Sequence, residues 1–234
     1  MLTVVPSAQA QAAEARVAQT INPLLSTWNT PDGTPPYDRI QPEHYEPAFD
    51  QAIAKAREEG KAIADNRAPA TFVNTIEAME RSGRDLARVS STFFTVSSAD
   101  ATAANQAILK NVAPKLARLS NETLLNQNLF QRVDALYQKR ASLDLTPEQA
   151  RLLEQTHKRF VRAGAALPAE ARQRVAAINE EMSALGVEFG QKLLADQKAN
   201  DTFLSAAEVK GLPEDQTSAA AAAAKAAGKP GEFL

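Results

Sequence analysis

The longest uninterrupted helical pattern in this sequence runs from Pro168 to Asn200, PAEARQRVAAINEEMSALGVEFGQKLLADQKAN. Apolar residues recur along it at steps of three or four, which places them on one face of an α-helix. These residues are Ala171, Val175, Ile178, Met182, Leu185, Phe189 and Leu193. A helix of roughly 30 residues is about 45 Å long, because each residue adds about 1.5 Å. We therefore expect a rod on which the upstream helices pack.

Two further long helical patterns, each shorter than the rod, lie upstream of it. The first is predicted to run from Pro42 to about Asn66 and the second from Thr71 to about Ser97. Gly83 interrupts the second pattern. Glycine destabilises the interior of a helix by about 1 kcal/mol relative to alanine, so its presence there calls for a structural reason. We favour a close crossing of helices at Gly83 over a hinge, and the residues leave both open.

Shorter helical patterns follow. Thr102 to Ser120 has helical spacing, and Pro114 is expected to bend or split that helix. Asn128 can cap a short helix. Thr146 to Gln149 has the form of a capping box at the start of a further helix, which Gly164 is expected to close. An alanine-rich helix is predicted after the rod.

No strand pattern of useful length appears, so we predict an all-α fold, a mostly antiparallel multi-helix bundle with one long central helix near the C-terminal part. We divide the chain into residues 1–21, a mobile tail or signal-peptide remnant, residues 22–211, a helical domain, and residues 212–234, the alanine-rich helix and the start of a next region. The first residues resemble the end of a secretory signal but lack a basic residue and a full apolar segment, which leaves a periplasmic or a cytoplasmic location open.

Composition argues against several classes of function. Hydrophobic residues make up 44% of the chain and charged residues 23%, as in ordinary globular proteins. A net charge of −2 provides no basic field for nucleic acid. No apolar run approaches the roughly 18 residues of a membrane-spanning helix. The absence of cysteine excludes disulfides, thiolate catalysis and Cys-ligated zinc. We therefore expect no nucleic-acid and no membrane partner.

Four segments, in one order along the chain, resemble a known family. They are PPYDRIQPEHYEPAFDQAI, TFVNTIEAMERSGRDLARVSSTFF, APKLARLSNETLLNQNLFQRVDALY and INEEMSALGVEFGQKLLAD. Together they resemble the N-terminal helical region of the thimet oligopeptidase family of zinc metallopeptidases. Within that family the likeness is stronger to the bacterial peptidyl-dipeptidases, or dipeptidyl carboxypeptidases, than to the oligopeptidase A branch. The resemblance covers roughly residues 22–233 and implies zinc-dependent removal of C-terminal dipeptides from short peptides.

The catalytic motif of such an enzyme is absent from this sequence. In H-E-x-x-H, two histidines one helical turn apart reach the same zinc ion and the glutamate acts as general base. This chain contains only His44 and His157, which are more than a hundred residues apart. We therefore predict no catalytic, cofactor-binding or metal-binding residue here, and zinc only in the full-length enzyme. The chain is interpreted as an N-terminal fragment that is inactive alone.

Each candidate residue has a structural interpretation. His44 lies in the first turn of a predicted helix without a second ligand one turn away, so we prefer a structural imidazole to a metal ligand. His157 lies near the apolar face of its helix, where Glu154 is the acidic residue at a suitable spacing, and is interpreted as structural or exposed. Glu180 and Glu181 point about 100° apart on a helix, so they do not form an acid/base pair.

Two functions of different classes are compatible with these patterns. In the first, the chain is the non-catalytic helical part of a zinc peptidyl-dipeptidase, with the missing C-terminal catalytic region as its partner, and forms one wall of the channel for short peptides. In the second, it is a free-standing helical binding or adaptor module without enzymatic activity. The first predicts uncovered apolar faces where the catalytic region docks, and the second predicts polar outer faces.

Overall fold

The computed structural model describes residues 22–234, apart from the side chain of Lys198. The described residues form the helices α1 (Tyr45–Ala64), α2 (Ala78–Arg81), α3 (Arg84–Ala99), α4 (Ala103–Leu124), α5 (Gln127–Gln138), α6 (Pro147–Ala163), α7 (Ala169–Ala199) and α8 (Glu214–Ala226). Strand pairing in this part of the chain is limited to an isolated antiparallel bridge between Leu204 and Phe233. The prediction of an all-α fold is confirmed.

The second predicted helix is broken in the structure. A π-helical turn, Phe72–Glu77, leads into the short helix α2, and Ser82 and Gly83 separate α2 from α3. Gly83 has φ 69° and ψ 16°, a left-handed conformation that glycine adopts without steric cost. A Cβ at Gly83 would meet no atom within 4 Å, so the favoured interpretation, a close helix crossing, is wrong. Glycine is needed there for the backbone turn.

Side-chain caps mark where several helices begin. The predicted capping box before α6 is confirmed, because Thr146 and Gln149 each accept the backbone N–H of the other, at 3.3 and 3.0 Å. The cap of α5 is Asn126 and not Asn128, since Asn126 Oδ1 accepts the N–H of Leu129 at 3.0 Å. Asn128 already lies inside α5 and cannot cap it. Pro114 lies within the continuous helix α4, so it does not split that helix.

By backbone packing the chain falls into two compact units, the first ending at Val187 and the second comprising Glu188–Leu234. The first unit contains two clusters of buried apolar side chains. One joins α1 to α3 and α4, and its members are Leu24, Tyr45, Ala48, Phe49, Ala52, Ile53, Val89, Phe93, Ile108, Val112 and Leu119. Phe93 is central to it, with ring centroids 5.0 Å from Tyr45 and 5.6 Å from Phe49 in edge-on contacts.

The second cluster packs the end of α1 against α5, α6 and the π-helical turn. Its members are Ile63, Ala64, Ile76, Leu129, Val133, Leu136, Leu153, Phe160 and Ala165. Arg132 of α5 lies beside this cluster. Its guanidinium donates to the carbonyl oxygens of Asn66 and Ala68, at 2.7 and 2.9 Å, and to Asn74 Oδ1 at 2.7 Å. The loop after α1 is thereby tied to α5.

The predicted rod is present as α7, but it does not occupy the core. The sequence predicts that the upstream helices pack on the rod. In the structure these helices bury their apolar faces against one another, and α7 contributes no residue to either cluster. Among residues 22–234, no helix combines the length and apolar character needed to cross a membrane, and this includes α7.

In the second unit, α8 is followed by a short return of the chain. Leu204 and Phe233 exchange backbone hydrogen bonds of 2.8 and 2.9 Å, and the N–H of Leu234 donates to the carbonyl of Ala220 at 3.1 Å. Ala224 of α8 is fully buried. The alanine-rich segment is therefore helical, as predicted. The domain boundary predicted between residues 211 and 212 stays a prediction.

Candidate functional site: an exposed face of the long helix

Polar side chains attach α7 to α4 within the first unit. Asn121 Nδ2 donates to the carbonyl of Ala176 at 3.1 Å, and Asn121 Oδ1 accepts from Asn179 Nδ2 at 2.8 Å. Arg118 pairs with Glu180 at 3.3 Å. Asn121 is only 8% exposed, so its bonds form largely away from water. The face of α7 that carries Ala176, Asn179 and Glu180 is therefore turned towards α4.

Another face of α7 exposes large apolar side chains to solvent. Ile178 is 38% exposed, Met182 65% and Leu185 55%, and these three residues are termed the apolar row. At about 100° per residue, the apolar row lies roughly 150° around the helix from the face that contacts α4. Further along the same helix, in the second unit, Phe189 is 69% exposed and Leu193 49%. Five of the seven residues that the periodicity assigned to one face are thus exposed, whereas Ala171 and Val175, nearer the start of α7, are partly buried.

Gly186 lies next to Met182 on the helix surface, since it follows it by four residues. No atom lies within 4 Å of the position that a Cβ of Gly186 would occupy. Glycine in the interior of a helix is unfavourable by about 1 kcal/mol relative to alanine. Packing within the described residues does not require glycine at this position, which is open to close approach by another backbone.

His157 is held in a cluster of aromatic and charged side chains between α5 and α6. Its Nε2 lies 2.8 Å from Asp134 Oδ1. Its ring stacks on Tyr137 with centroids 3.9 Å apart and planes at 4°, and the guanidinium of Arg140 lies 4.1 Å from the Tyr137 centroid. Glu154, the acidic residue considered from sequence, pairs with Arg151 instead. Sequence reasoning missed Asp134 because it lies on a neighbouring helix.

His44 serves the start of α1. It ends the 3₁₀ turn Pro42–His44, and its Nδ1 accepts the backbone N–H of Gln41 at 3.0 Å. The structure gives the two histidines separate structural partners and does not bring them together at one site. Within residues 22–234 there is no cluster of three or more His, Asp or Glu side chains with the geometry to hold a metal ion.

The carboxylates of Glu180 and Glu181 do not act as a pair. Glu180 pairs with Arg118 of α4, while Glu181 is exposed. A general acid and base must both reach one substrate atom. These two side chains are directed apart, as their adjacent positions on a helix predict.

A cavity of about 310 Å³ lies within the first unit. Gly60 of α1, Leu116 of α4 and Phe160 of α6 are among its lining residues. Its lining includes the hydroxyl of Ser82, which donates to the carbonyl of Met79 at 2.7 Å. No histidine lines the cavity, so its hydroxyl groups have no imidazole base to activate them. The cavity therefore offers space and hydroxyl groups, but no imidazole beside them.

Ion pairs on the surface connect the helices of the first unit. Lys55 of α1 lies 2.7 Å from Asp85 of α3, and Arg57 of α1 makes two hydrogen bonds to Glu122 of α4, at 2.6 and 3.2 Å. The hydrogen bond from Lys55 holds the pKa of Asp85 below its usual value, and the same bond raises the pKa of Lys55. These pairs support the scaffold and are not arranged around a substrate site.

No protein-family model matches this chain, but curated proteins do. The chain is 42% identical over 204 residues to a dipeptidyl carboxypeptidase of Salmonella typhimurium and 38% identical over 216 residues to one of Escherichia coli. It is 27% identical over 206 residues to oligopeptidase A of Escherichia coli. These matches cover 86%, 92% and 88% of this chain, but 30%, 32% and 30% of the relatives. The chain thus spans less than a third of the length of these relatives.

Proposed function

We propose a function from the premise that this chain belongs to the peptidase family that includes dipeptidyl carboxypeptidase and oligopeptidase A. The chain is the N-terminal, non-catalytic helical part of a zinc metallopeptidase that removes C-terminal dipeptides from short peptides. The observation that carries this proposal is the identity of 42% and 38% to two dipeptidyl carboxypeptidases over most of the chain, against 27% to an oligopeptidase A.

Zinc and the residues that bind it are assigned to the part of the full-length peptidase that lies outside the region aligned with this chain. A zinc peptidase of this type uses H-E-x-x-H, in which two imidazoles one helical turn apart bind one metal ion. The two histidines of this chain do not have that spacing. The chemistry of peptide hydrolysis is therefore assigned elsewhere, and this chain contributes structure around the site.

In the assembled enzyme, these helices form one wall of the channel that admits short peptides. Two apolar clusters and the ion pairs between α1, α3 and α4 hold the helices of the first unit together. A wall of packed helices excludes folded proteins from a catalytic centre by size, while extended peptides can pass. This size exclusion restricts the substrates of the assembled enzyme to short peptides.

A free-standing helical adaptor is the second candidate and is not favoured. Such a module should cover its surface with polar side chains, because large exposed apolar faces promote association. The exposed apolar row of α7, Ile178, Met182 and Leu185, is the opposite of that expectation.

The test compares the purified 234-residue chain with the gene product extended downstream, both with added zinc. The substrate is a short peptide with a blocked N-terminus, and the products are identified by mass spectrometry. We expect release of a C-terminal dipeptide by the extended protein and no cleavage by the 234-residue chain. A matched peptide with an amidated C-terminus distinguishes dipeptide removal from internal cleavage. Chelator-sensitive cleavage by the short chain, or an inactive extended protein, would contradict the proposal.

A further inference from the structure

We infer that the apolar row of α7, Ile178, Met182 and Leu185, is a docking face for the part of the same peptidase polypeptide that lies outside the match. This inference rests on the proposed function and names the partner of one surface. It concerns an interface within one enzyme and adds no catalytic residue.

The orientation of the apolar row is set by contacts on another side of α7. Asn121 holds the carbonyl of Ala176 and the amide of Asn179, so α7 cannot turn about its axis without breaking both bonds. The row, roughly 150° away around the helix, is therefore held outward. Its exposure follows from a defined packing arrangement of the first unit.

The chemistry of the row fits an apolar partner surface. Met182 and Leu185 are each more than half exposed, and Ile178 extends the row by one turn. Single exposed apolar residues are ordinary, whereas several on one face mark an interaction site. Gly186, beside Met182, has open space where a Cβ would lie. A partner helix or strand can therefore approach the α7 backbone closely at this point.

The occupant follows from the length of the relatives. The matches cover 30% and 32% of the two dipeptidyl carboxypeptidases, so more than two thirds of each relative lies outside them. That polypeptide has to pack against the matched region through some surface. The apolar row is an outward-facing apolar surface on the longest helix described, which makes it the face suited to this contact.

The experiment places aspartate on the row and measures stability in two proteins. The variant is Met182→Asp with Leu185→Asp, and the matched control is Ala184→Asp, an exposed residue of the same helix that lies roughly 130° around the helix from the row. All are made in the 234-residue chain and in the protein extended downstream. In the short chain, we expect no greater loss of thermal stability from the row variant than from the control. In the extended protein, we expect the row variant to lower the melting temperature and to speed proteolysis within α7 several-fold, and the control to do neither.

Gly186→Ala is a second variant that does not depend on a charge. Alanine favours the helix, so we expect a higher melting temperature in the short chain. In the extended protein the added methyl group obstructs close packing, and we expect a lower melting temperature. An increase in both proteins would overturn the inference.

The remaining outcomes also decide the matter. If the row variant leaves the stability of the extended protein unchanged, the face stays in solvent and the inference is overturned. It is also overturned if the reading frame encodes no polypeptide downstream, because the partner then does not exist. If the extended protein sediments as a dimer that the row variant converts to monomer, the occupant is a second copy and the inference fails. Peptide hydrolysis by the wild-type extended protein is measured separately, so the proposed function can stand when this inference fails.

Discussion

The side-chain amide of Asn179 donates a 2.8 Å hydrogen bond to Oδ1 of Asn121, which joins the long helix α7 to α4. The same Asn121 donates to the carbonyl of Ala176, one turn earlier on α7. Two bonds from one buried side chain determine which face of α7 lies against the bundle. They thereby also determine which face is exposed.

Asn121→Ala removes both bonds, and we expect a loss of about 1–2 kcal/mol in the free energy of unfolding. Urea unfolding of the 234-residue chain measures the loss, and hydrogen exchange should increase in α7 near Ala176. Arg118→Ala is the control, because its ion pair with Glu180 is largely exposed and such pairs contribute about 0–1 kcal/mol. Equal effects of the two substitutions would mean that Asn121 does not hold α7.

Gly83→Ala should destabilise the chain by about 1–2 kcal/mol, because a residue with a Cβ is strained in the left-handed region. Gly83 has φ 69°, and its N–H donates to the carboxylate of Glu59 at 2.7 Å. Gly60 lies inside α1, and no atom lies within 4 Å of the position that a Cβ would occupy, so Gly60→Ala should stabilise the chain by up to about 1 kcal/mol. Chemical denaturation of both variants gives the comparison. The same sign for both would refute the assignment of Gly83 to the backbone turn.

His157→Ala should destabilise the chain by about 2 kcal/mol, because it removes a stacked ring and a hydrogen bond to Asp134. Denaturant unfolding measures this loss. Peptide hydrolysis by the extended protein should be unaffected below the unfolding temperature of the variant, since His157 is not assigned to zinc. Loss of hydrolysis in a variant that remains folded would show that the structural interpretation of His157 is incomplete.

The Lys55 and Asp85 pair should make a small contribution to stability that depends on pH. The pKa of Asp85 is lowered in the folded chain, so its contribution is present above the unfolded-state pKa of about 3.9 and is lost as pH falls through the folded-state pKa. The pKa of Lys55 is raised, so its contribution is present below about 10.4 and is lost as pH rises through the folded-state pKa.

The measurement is the difference in melting temperature between the wild-type chain and Asp85→Asn at each pH. We expect a constant difference near neutral pH that disappears in strong acid and in strong base. It should also shrink in high salt, because both side chains are partly exposed. A difference that persists at pH values below the titration of Asp85 would point to packing of that side chain and not to its charge.

Local patterns in the sequence were sufficient for most of the helices. The capping box of Thr146 and Gln149 and the helical spacing of α1 depend on residues within a few positions of one another, and both appear in the structure as predicted. Family resemblance also came from residues in sequence order, and the matches to dipeptidyl carboxypeptidases confirm it. Gly83 was misread because a glycine in a helical pattern looks the same whether the helix continues or turns.

The sequence by itself determined that Ile178, Met182 and Leu185 share one face of a long helix, since that follows from 3.6 residues per turn. Only the tertiary structure decided that this face is exposed, that Asn121 holds the other side, and that Asp134 is the partner of His157. Periodicity specifies the direction of each side chain about its own helix axis. Burial and pairing depend on residues that are distant along the chain, and these are fixed only when the helices pack.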